Sequence, residues 1–251
     1  MRIVMFGLTG FGNKVLRALV ASGNTPELIV TRHEKGDFPY YAENNLAKDA
    51  RLFGINVLYE EEGEEKVGQM NIDLIFICTY HRLLSGGVIK AAPYCFNFHP
   101  SLLPKYKGSN PYYWTIRNKE VKTGITVHQV TKDIDGGDIL LQESLIISPT
   151  ETQGSLRRRL ADMMAVLSID VVKIIQNDEP VFQPQVKNSD SSYLCKSIDD
   201  EERKIDMELS FEDAWIKLRA LSPWPGALIQ DKPWVIRNSC KEGEIRSLDC
   251  L

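Results

Sequence analysis

The chain has 251 residues, enough for one large domain or a domain with a modest appendage, and its 43% hydrophobic and 25% charged content is that of an ordinary soluble globular protein. A net charge of −4 supplies no electrostatic footprint for nucleic acid. Five cysteines (Cys78, Cys95, Cys195, Cys240 and Cys250) form no Cys-x-x-Cys pair and have no metal-ligand spacing. This usage points to a reducing cytoplasmic setting with Cys78 and Cys95 in a core; the sequence offers no signal segment, and no apolar run reaches the ~20 residues of a membrane span.

The first ninety residues alternate strand-like and helix-like patterns. RIVMFG (2–7) reads as a strand ending at glycine, and NKVLRALVAS (13–22) has the spacing of an amphipathic helix. A strand at 27–32, a helix at 42–54 closed by Gly54, and strands at 55–60 and 73–80 follow, the last apolar enough to be buried on both faces. Residues 83–92 read as mostly helical, and Tyr94–Phe98 as a fifth strand. Repeated strand–helix–strand units of this length imply an α/β fold with a doubly wound, mostly parallel sheet.

Asn110 as cap and Pro111 at the first position predict a helix over 110–118. GITVHQV and DILLQESLII read as an antiparallel pair at the sheet edge. An amphipathic helix spans about 151–176 from Thr150 as its cap, and the polar stretch 180–204 reads as a linker. Residues 210–221 form a capped helix, and 223–237 a hairpin turning at Asp231-Lys232. The chain is thus expected to divide into a main α/β unit, 1–180, and an extension of linker, helix and hairpin, 181–251.

Chemistry concentrates in FNFHPSLLPKYKGSNPYYW (96–114) and GITVHQVTKDIDGGD (124–138). Alternation along a strand puts Asn97 and His99 on one face and Phe96 and Phe98 on the other, facing a core. Asp135 precedes two glycines, the composition of a loop whose backbone approaches something closely. An amide, an imidazole and a carboxylate at the open end of a sheet make a general acid–base and oxyanion-holding constellation, with no serine or cysteine nucleophile beside them. GLTGFG (7–12) is a strand-to-helix turn that nominates Thr9, Gly10 and Phe11 for an anionic group, although its glycine spacing is not that of a dinucleotide fingerprint. Lys105, beside Tyr106 in a basic loop, suits the same diphosphate, as does His81; Asn110 completes the candidate substrate contacts.

At these residues the chain resembles the formyltransferase family that uses N10-formyltetrahydrofolate. The resemblance rests on Asn-x-His followed by SLLP and a basic glycine-containing loop, then DIDGGD, and covers roughly residues 1–180. It implies a Rossmann-like twisted sheet of the formyltransferase type, with Asn97, His99 and Asp135 as catalytic residues. It further implies that the backbone around Arg82, Leu83 and Leu84 reads the reduced folate, and that the loop Thr131, Lys132, Asp133, Ile134 and Asp135 closes over the same ring. No metal is implied.

The branch is indicated by departures from the methionyl-tRNA formyltransferases. Pro100 stands where that branch has glycine, SNPYYW follows the loop, and only about 45 residues follow Asp206, too few for a full tRNA-binding barrel. SNPYYW and the short hairpin tail are similar to the sugar-nucleotide N-formyltransferases. That resemblance implies a dTDP- or UDP-linked amino sugar as partner, dTDP-4-amino-4,6-dideoxyglucose or an isomer first, for surface glycan (O-antigen) biosynthesis. It also implies a homodimer joined through the C-terminal region around Trp224, Trp234 and Ile236. A methionyl-tRNA formyltransferase and a non-catalytic dinucleotide-binding module are the alternatives.

Overall fold

Strands β1 (Ile3–Gly7), β2 (Leu28–Thr31), β3 (Asn56–Tyr59), β4 (Leu74–Cys78) and β5 (Tyr94–His99) run parallel in the computed structural model, which describes residues 1–33, 45–177, 180–186, 194–206, 208–229, 234–238 and 247–250. Helices α1 (Phe11–Ala21), α2 (Leu46–Leu52), α3 (Glu60–Gly68) and α4 (Gly86–Lys90) join them. Every residue of β1, β2 and β4 is buried, since helices cover both faces of a parallel sheet. The two-residue strand β6 (Lys107–Gly108) and helix α5 (Pro111–Arg117) lead into β7 (Lys122–Gln129), which runs antiparallel to β5; β8 (Ile139–Ile146) is antiparallel to β7 at the edge.

The sheet order β3-β2-β1-β4-β5-β7-β8 reverses direction between β1 and β4. Such a reversal opens a crevice at the carboxyl ends of the strands. One face is covered by α1 and by α6 (Gln153–Asn177), whose Leu156, Leu160, Met164 and Val171 enter the core with Phe96 and Phe98. No helix among the described residues is long and apolar enough to cross a membrane.

Beyond α6 come β9 (Leu194–Cys195), α7 (Asp200–Arg203), β10 (Lys204–Ile205), α8 (Phe211–Leu221), β11 (Ala227–Ile229), β12 (Trp234–Asn238) and β13 (Ser247–Cys250). The last four strands make a small sheet in which β11 and β12 form the expected hairpin. Its Asp231-Lys232 turn lies outside the described residues, as do Cys240 and residues 42–44 of the expected second helix. Ile205, Ala220, Leu221 and Ala227 share one core with α1 and α6.

Several elements differ from the sequence reading. Helix α3 was not expected: its buried residues are only Gly63 and Val67, too few for an apolar stripe. It seats on β2 through Gly63, where a Cβ would come within 2.5 Å of Val30. Helix α4 is confined to Gly86–Lys90, capped by Ser85. Helix α6 begins later than expected, and Thr152 rather than Thr150 caps it, its hydroxyl accepting from Ser155 N at 3.2 Å. Asn110 precedes α5 as expected, but its side-chain oxygen accepts from the Tyr112 hydroxyl instead of capping the helix.

Residues 180–204 are not a free linker. Gln183 forms an antiparallel bridge with Ile139, and β9 pairs in parallel with β6, so two pieces of this stretch are docked on the main α/β unit.

Gly124 marks the tightest approach in the β7–β8 pair, where a Cβ would lie 1.9 Å from the Glu143 carbonyl oxygen. Gly124→Ala is therefore expected to destabilise the fold by about 1–3 kcal/mol, as overpacking does. Urea titration checks this; an unchanged midpoint would mean that β8 is not held where it lies.

Candidate active site

The alternation of β5 decides which side chains reach the crevice. Phe96 and Phe98 are fully buried, the latter edge-on to Phe76 with centroids 5.1 Å apart, so Asn97 and His99 point to the opposite side. The antiparallel register sets Asn97 opposite His128 of β7. The loop after β7 then brings in Asp135, whose φ of 47° lies in the left-handed region. Gly137 permits this return: a Cβ there would stand 1.9 Å from the Gln129 carbonyl oxygen.

The three predicted residues converge. Asn97 Nδ2 donates to Asp135 Oδ1 at 3.1 Å, and Gly108 N donates to Asp135 Oδ2 at 2.8 Å. His99 Nδ1 lies 3.5 Å from Asp135 Oδ2, and His128 Nε2 lies 3.5 Å from Oδ1. His128 also sits 3.1 Å from Asn97 Nδ2. Backbone carbonyls fix the tautomers, because they only accept. His99 Nε2 faces Tyr106 O at 2.7 Å and so carries the proton. His128 Nδ1 faces Gln129 O at 2.8 Å and carries its own. Neutral His99 thus presents an Nδ1 lone pair to the carboxylate side, and with its proton on Nδ1 His128 has Nε2 to accept from Asn97.

Burial sets the charge states. His99 is 4% exposed, and burial pushes its imidazole below the usual value, against the opposing pull of the Asp135 carboxylate and the bond to Tyr106. Burial works against ionisation of Asp135. It is outweighed by the positive charge His99 can carry, the bond with His128 and the Gly108 N–H, so the carboxyl titrates well below the usual carboxylate range. Near neutral pH the site therefore holds a carboxylate beside an uncharged His99 ring. Such a set can take up one proton at His99 Nδ1 and turn that atom into a donor.

The constellation forms the floor of a cleft of about 540 Å³. One wall is the segment 79–84, with Leu83 77% exposed at the lip. Arg82 and His81 line this wall, Arg82 pairing with Glu61 and, at 3.0 Å, with Glu64 of α3, and His81 with Glu60 at 3.4 Å. The helix missed from sequence is thus what anchors this wall. Residues 131–135 form another wall, with Ile134 51% exposed. A third side holds Gly108, Ser109, Asn110 and Tyr112 together with Leu8.

Other predicted contacts lie elsewhere. Thr9 is buried and its hydroxyl accepts from Leu46 N at 2.9 Å, while Phe11 is sealed under the Arg157 guanidinium; neither they nor Gly10 line the cleft. Tyr106 is 4% exposed, with its hydroxyl donating to Glu120 at 2.8 Å, because this loop folds inward to offer its carbonyl to His99. Lys105 faces the same Glu120 at 3.8 Å. Sequence reasoning missed His128, Gly108 and Ser197 of the cleft, and Gln185, which bonds the backbone of the Asp135 loop. A histidine inside the apolar run GITVHQV was the one available signal.

Comparison with known proteins agrees with this geometry. Residues 3–172 match the family described as Formyl transferase. A methionyl-tRNA formyltransferase of Lachnospira eligens is 31% identical over 236 residues, covering 90% of this chain and 74% of that one. Among solved structures, the N-formyltransferase of Helicobacter canadensis, in complex with folinic acid and dTDP-3-aminofucose, superposes with a TM-score of 0.70 at 23% identity, over 88% of this chain and 80% of that one. A 4-N formyltransferase of Francisella tularensis superposes with a TM-score of 0.68 at 18% identity, over 100% of this chain and 97% of that one. With a family match over most of its length and a relative above three-tenths identity along nine-tenths of it, this chain belongs to the formyl transferase family.

Proposed function

We propose that the protein moves a formyl group from N10-formyltetrahydrofolate to the amino group of a nucleotide-linked amino sugar, with dTDP-4-amino-4,6-dideoxyglucose or an isomer first among acceptors. The observation that carries formyl transfer is the buried Asn97–His99–Asp135 cluster at the floor of an open cleft. The walls suit the donor: Leu83 and Ile134 expose apolar surface on two of them, and a flat heteroaromatic ring fits a slot of that kind. Leu83 and Leu84 would hold that ring on one side and Thr131, Lys132, Asp133 and Ile134 on the other, the donor supplying the activated formyl carbon.

The residues of the chain then act in order. Asp135, ionised, keeps Asn97 and the His99 ring aimed at the reacting carbonyl. His99 Nδ1, with its lone pair free, takes the proton released as the acceptor amine bonds to the formyl carbon. Nδ1–H and an Asn97 N–H, exchanged from His128 or Asp135, hold the developing oxyanion; one such preorganised donor contributes ~10²–10³ in rate. The proton then passes toward the departing folate nitrogen.

For the acceptor, support comes from the Helicobacter canadensis enzyme's complex with a dTDP-amino sugar and from the Francisella tularensis 4-N formyltransferase. The polar third wall of Ser109, Asn110 and Tyr112, with Ser197 beyond it, offers hydrogen-bonding groups at the scale of a small sugar. A net charge of −4 argues against a polyanion such as tRNA. A second reading, methionyl-tRNA, is favoured by the names of the sequence relatives.

His99→Ala and Asp135→Asn are each expected to lower kcat by ~10²–10⁴ with the fold intact; near-normal turnover by either would remove that residue from the mechanism. Because the working form has neutral His99 and burial lowers its titration, kcat is expected to hold from pH 8 down to about 6.5 and to fall below it, as Nδ1 becomes protonated in advance. A limb rising through pH 7 and above in kcat would contradict this assignment. Turnover on dTDP- and UDP-linked amino sugars, set beside turnover on charged initiator tRNA, decides the acceptor. Activity on tRNA alone overturns the sugar reading.

A further inference from the structure

The residue that fixes the Asp135 backbone comes from a stretch the sequence reads as linker. Gln185 lies on the segment 180–186, which docks beside β8: Ile139 N donates to Gln183 O at 2.8 Å and Gln183 N donates back to Ile139 O at 2.8 Å. Phe182 packs on Phe96 with centroids 6.2 Å apart, on the core side of the strand that carries Asn97. Two residues past the bridge, the Gln185 amide reaches into the Asp135 loop. Its Nε2 donates to Asp135 O at 3.0 Å and to Gly137 O at 2.7 Å. Its Oε1 is buried with no partner among the described residues.

These two bonds straddle Gly136 and fix the 135–136 and 137–138 peptide planes, directly after Asp135, which is itself held at positive φ. The loop's own bonds hold other points: Gly136 N donates to Asp133 O at 3.2 Å, Asp133 N donates to the Thr131 hydroxyl at 3.3 Å, and Gln129 N donates to Asp138 O at 2.9 Å across the loop's base, while the carbonyls of Asp135 and Gly137 are bonded by Gln185. An Asp-Gly-Gly run has little intrinsic preference for one conformation. The direction of the Asp135 side chain depends on its backbone orientation, and its carboxylate must meet Gly108 N and Asn97 Nδ2 together. We infer that Gln185 is a positioning residue for formyl transfer: its amide clamps the carbonyls of Asp135 and Gly137 and thereby aims the carboxylate at Asn97 and His99. This rests on the reading of Asp135 as the working carboxylate.

Gln185→Met keeps the length and removes both donors; Gln185→Glu keeps the shape and replaces the donor by a carboxylate oxygen. Each is assayed with N10-formyltetrahydrofolate and whichever acceptor the wild-type chain turns over, alongside Asp135→Asn and a control, Gln183→Ala, whose exposed side chain leaves the backbone bridge intact. The expected result is a fall in kcat of about 10²-fold for either Gln185 variant, the scale of a small misplacement of a catalytic group, with KM for both substrates and the control's kcat little changed.

Ring-¹⁵N titration of the four histidines gives a readout that needs no acceptor. The charged and titrating groups acting on His99 are Asp135, His128 and Lys107, and of these Asp135 supports its protonated form. A carboxylate no longer aimed at the ring moves the His99 midpoint to lower pH. Wild-type kcat and an unmoved His99 midpoint in a folded Gln185 variant, even one with a lowered melting temperature, would reduce Gln185 to a structural tie and overturn the inference. Should Gln185→Met fail to fold, Gln185→Glu decides. If Asp135→Asn is inactive while both Gln185 variants work normally, only this inference falls; if Asp135→Asn is active, the reading of the site falls with it.

Discussion

The register of β5 against β7 is the constraint on which the site depends. It sets Asn97 opposite His128 and so gives the Asn97 amide one acceptor on the sheet and a second, Asp135, from the loop that follows. A slip of one residue would turn Asn97 and His99 into the core and present phenylalanines to the crevice. The apolar face of β5 prevents that slip, because Phe96 and Phe98 have a filled core to lose. The same alternation that buries the aromatics therefore places the chemistry. The antiparallel turn of β7 matters as much: it returns the chain to the carboxyl end of β5, and the loop carrying Asp135 starts there.

A cluster of an amide, two imidazoles and a carboxylate buried together is costly unless each group is bonded. Here the bonds come from backbone as much as from side chains. Tyr106 O and Gln129 O fix the two ring tautomers, and Gly108 N holds the carboxylate. Removing one member leaves a buried polar neighbour unpaired, with a desolvation cost of about 1–3 kcal/mol. The tautomers have a chemical consequence. With Nε2 committed to a carbonyl, His99 offers only Nδ1 to a substrate, and burial keeps that atom unprotonated. In the proposed mechanism the ring would therefore gain a proton during the reaction and not lose one.

Much of this was legible in the sequence, and the reasons are local. Two-residue alternation in FNFH reveals a polar pair backed by aromatics, and Asp-Gly-Gly marks a backbone that passes close to another. The five parallel strands and the antiparallel edge pair follow from apolar runs separated by helical patterns. What escaped depends on pairings remote in sequence. Helix α3 seats on a glycine and one valine, so it leaves no stripe to read. His128 gains its meaning only when register puts it opposite Asn97, and Gln185 only when its segment docks on Ile139. Tyr106 misled in the other direction: a tyrosine between two lysines reads as a substrate contact in a basic loop, yet its ring is buried and its carbonyl bonds the His99 ring.

In the proposed function the geometry would separate the chemistry from the choice of acceptor. The reacting cluster sits on the sheet and on the loop directly after β7, where packing leaves little latitude. The third wall belongs to the loop through Gly108, Ser109 and Asn110, which β9 braces: Ser109 N donates to Cys195 O at 3.3 Å, and Trp114 Nε1 donates to Lys196 O at 2.9 Å. That brace comes from the C-terminal part of the chain, beyond the residues that match the family profile. A common fold does not determine the substrate. Under the proposed function the acceptor would meet the wall that β9 braces, and the same loop holds the Asp135 carboxylate through Gly108 N, so changes in the C-terminal part would act on specificity and on the carboxylate together.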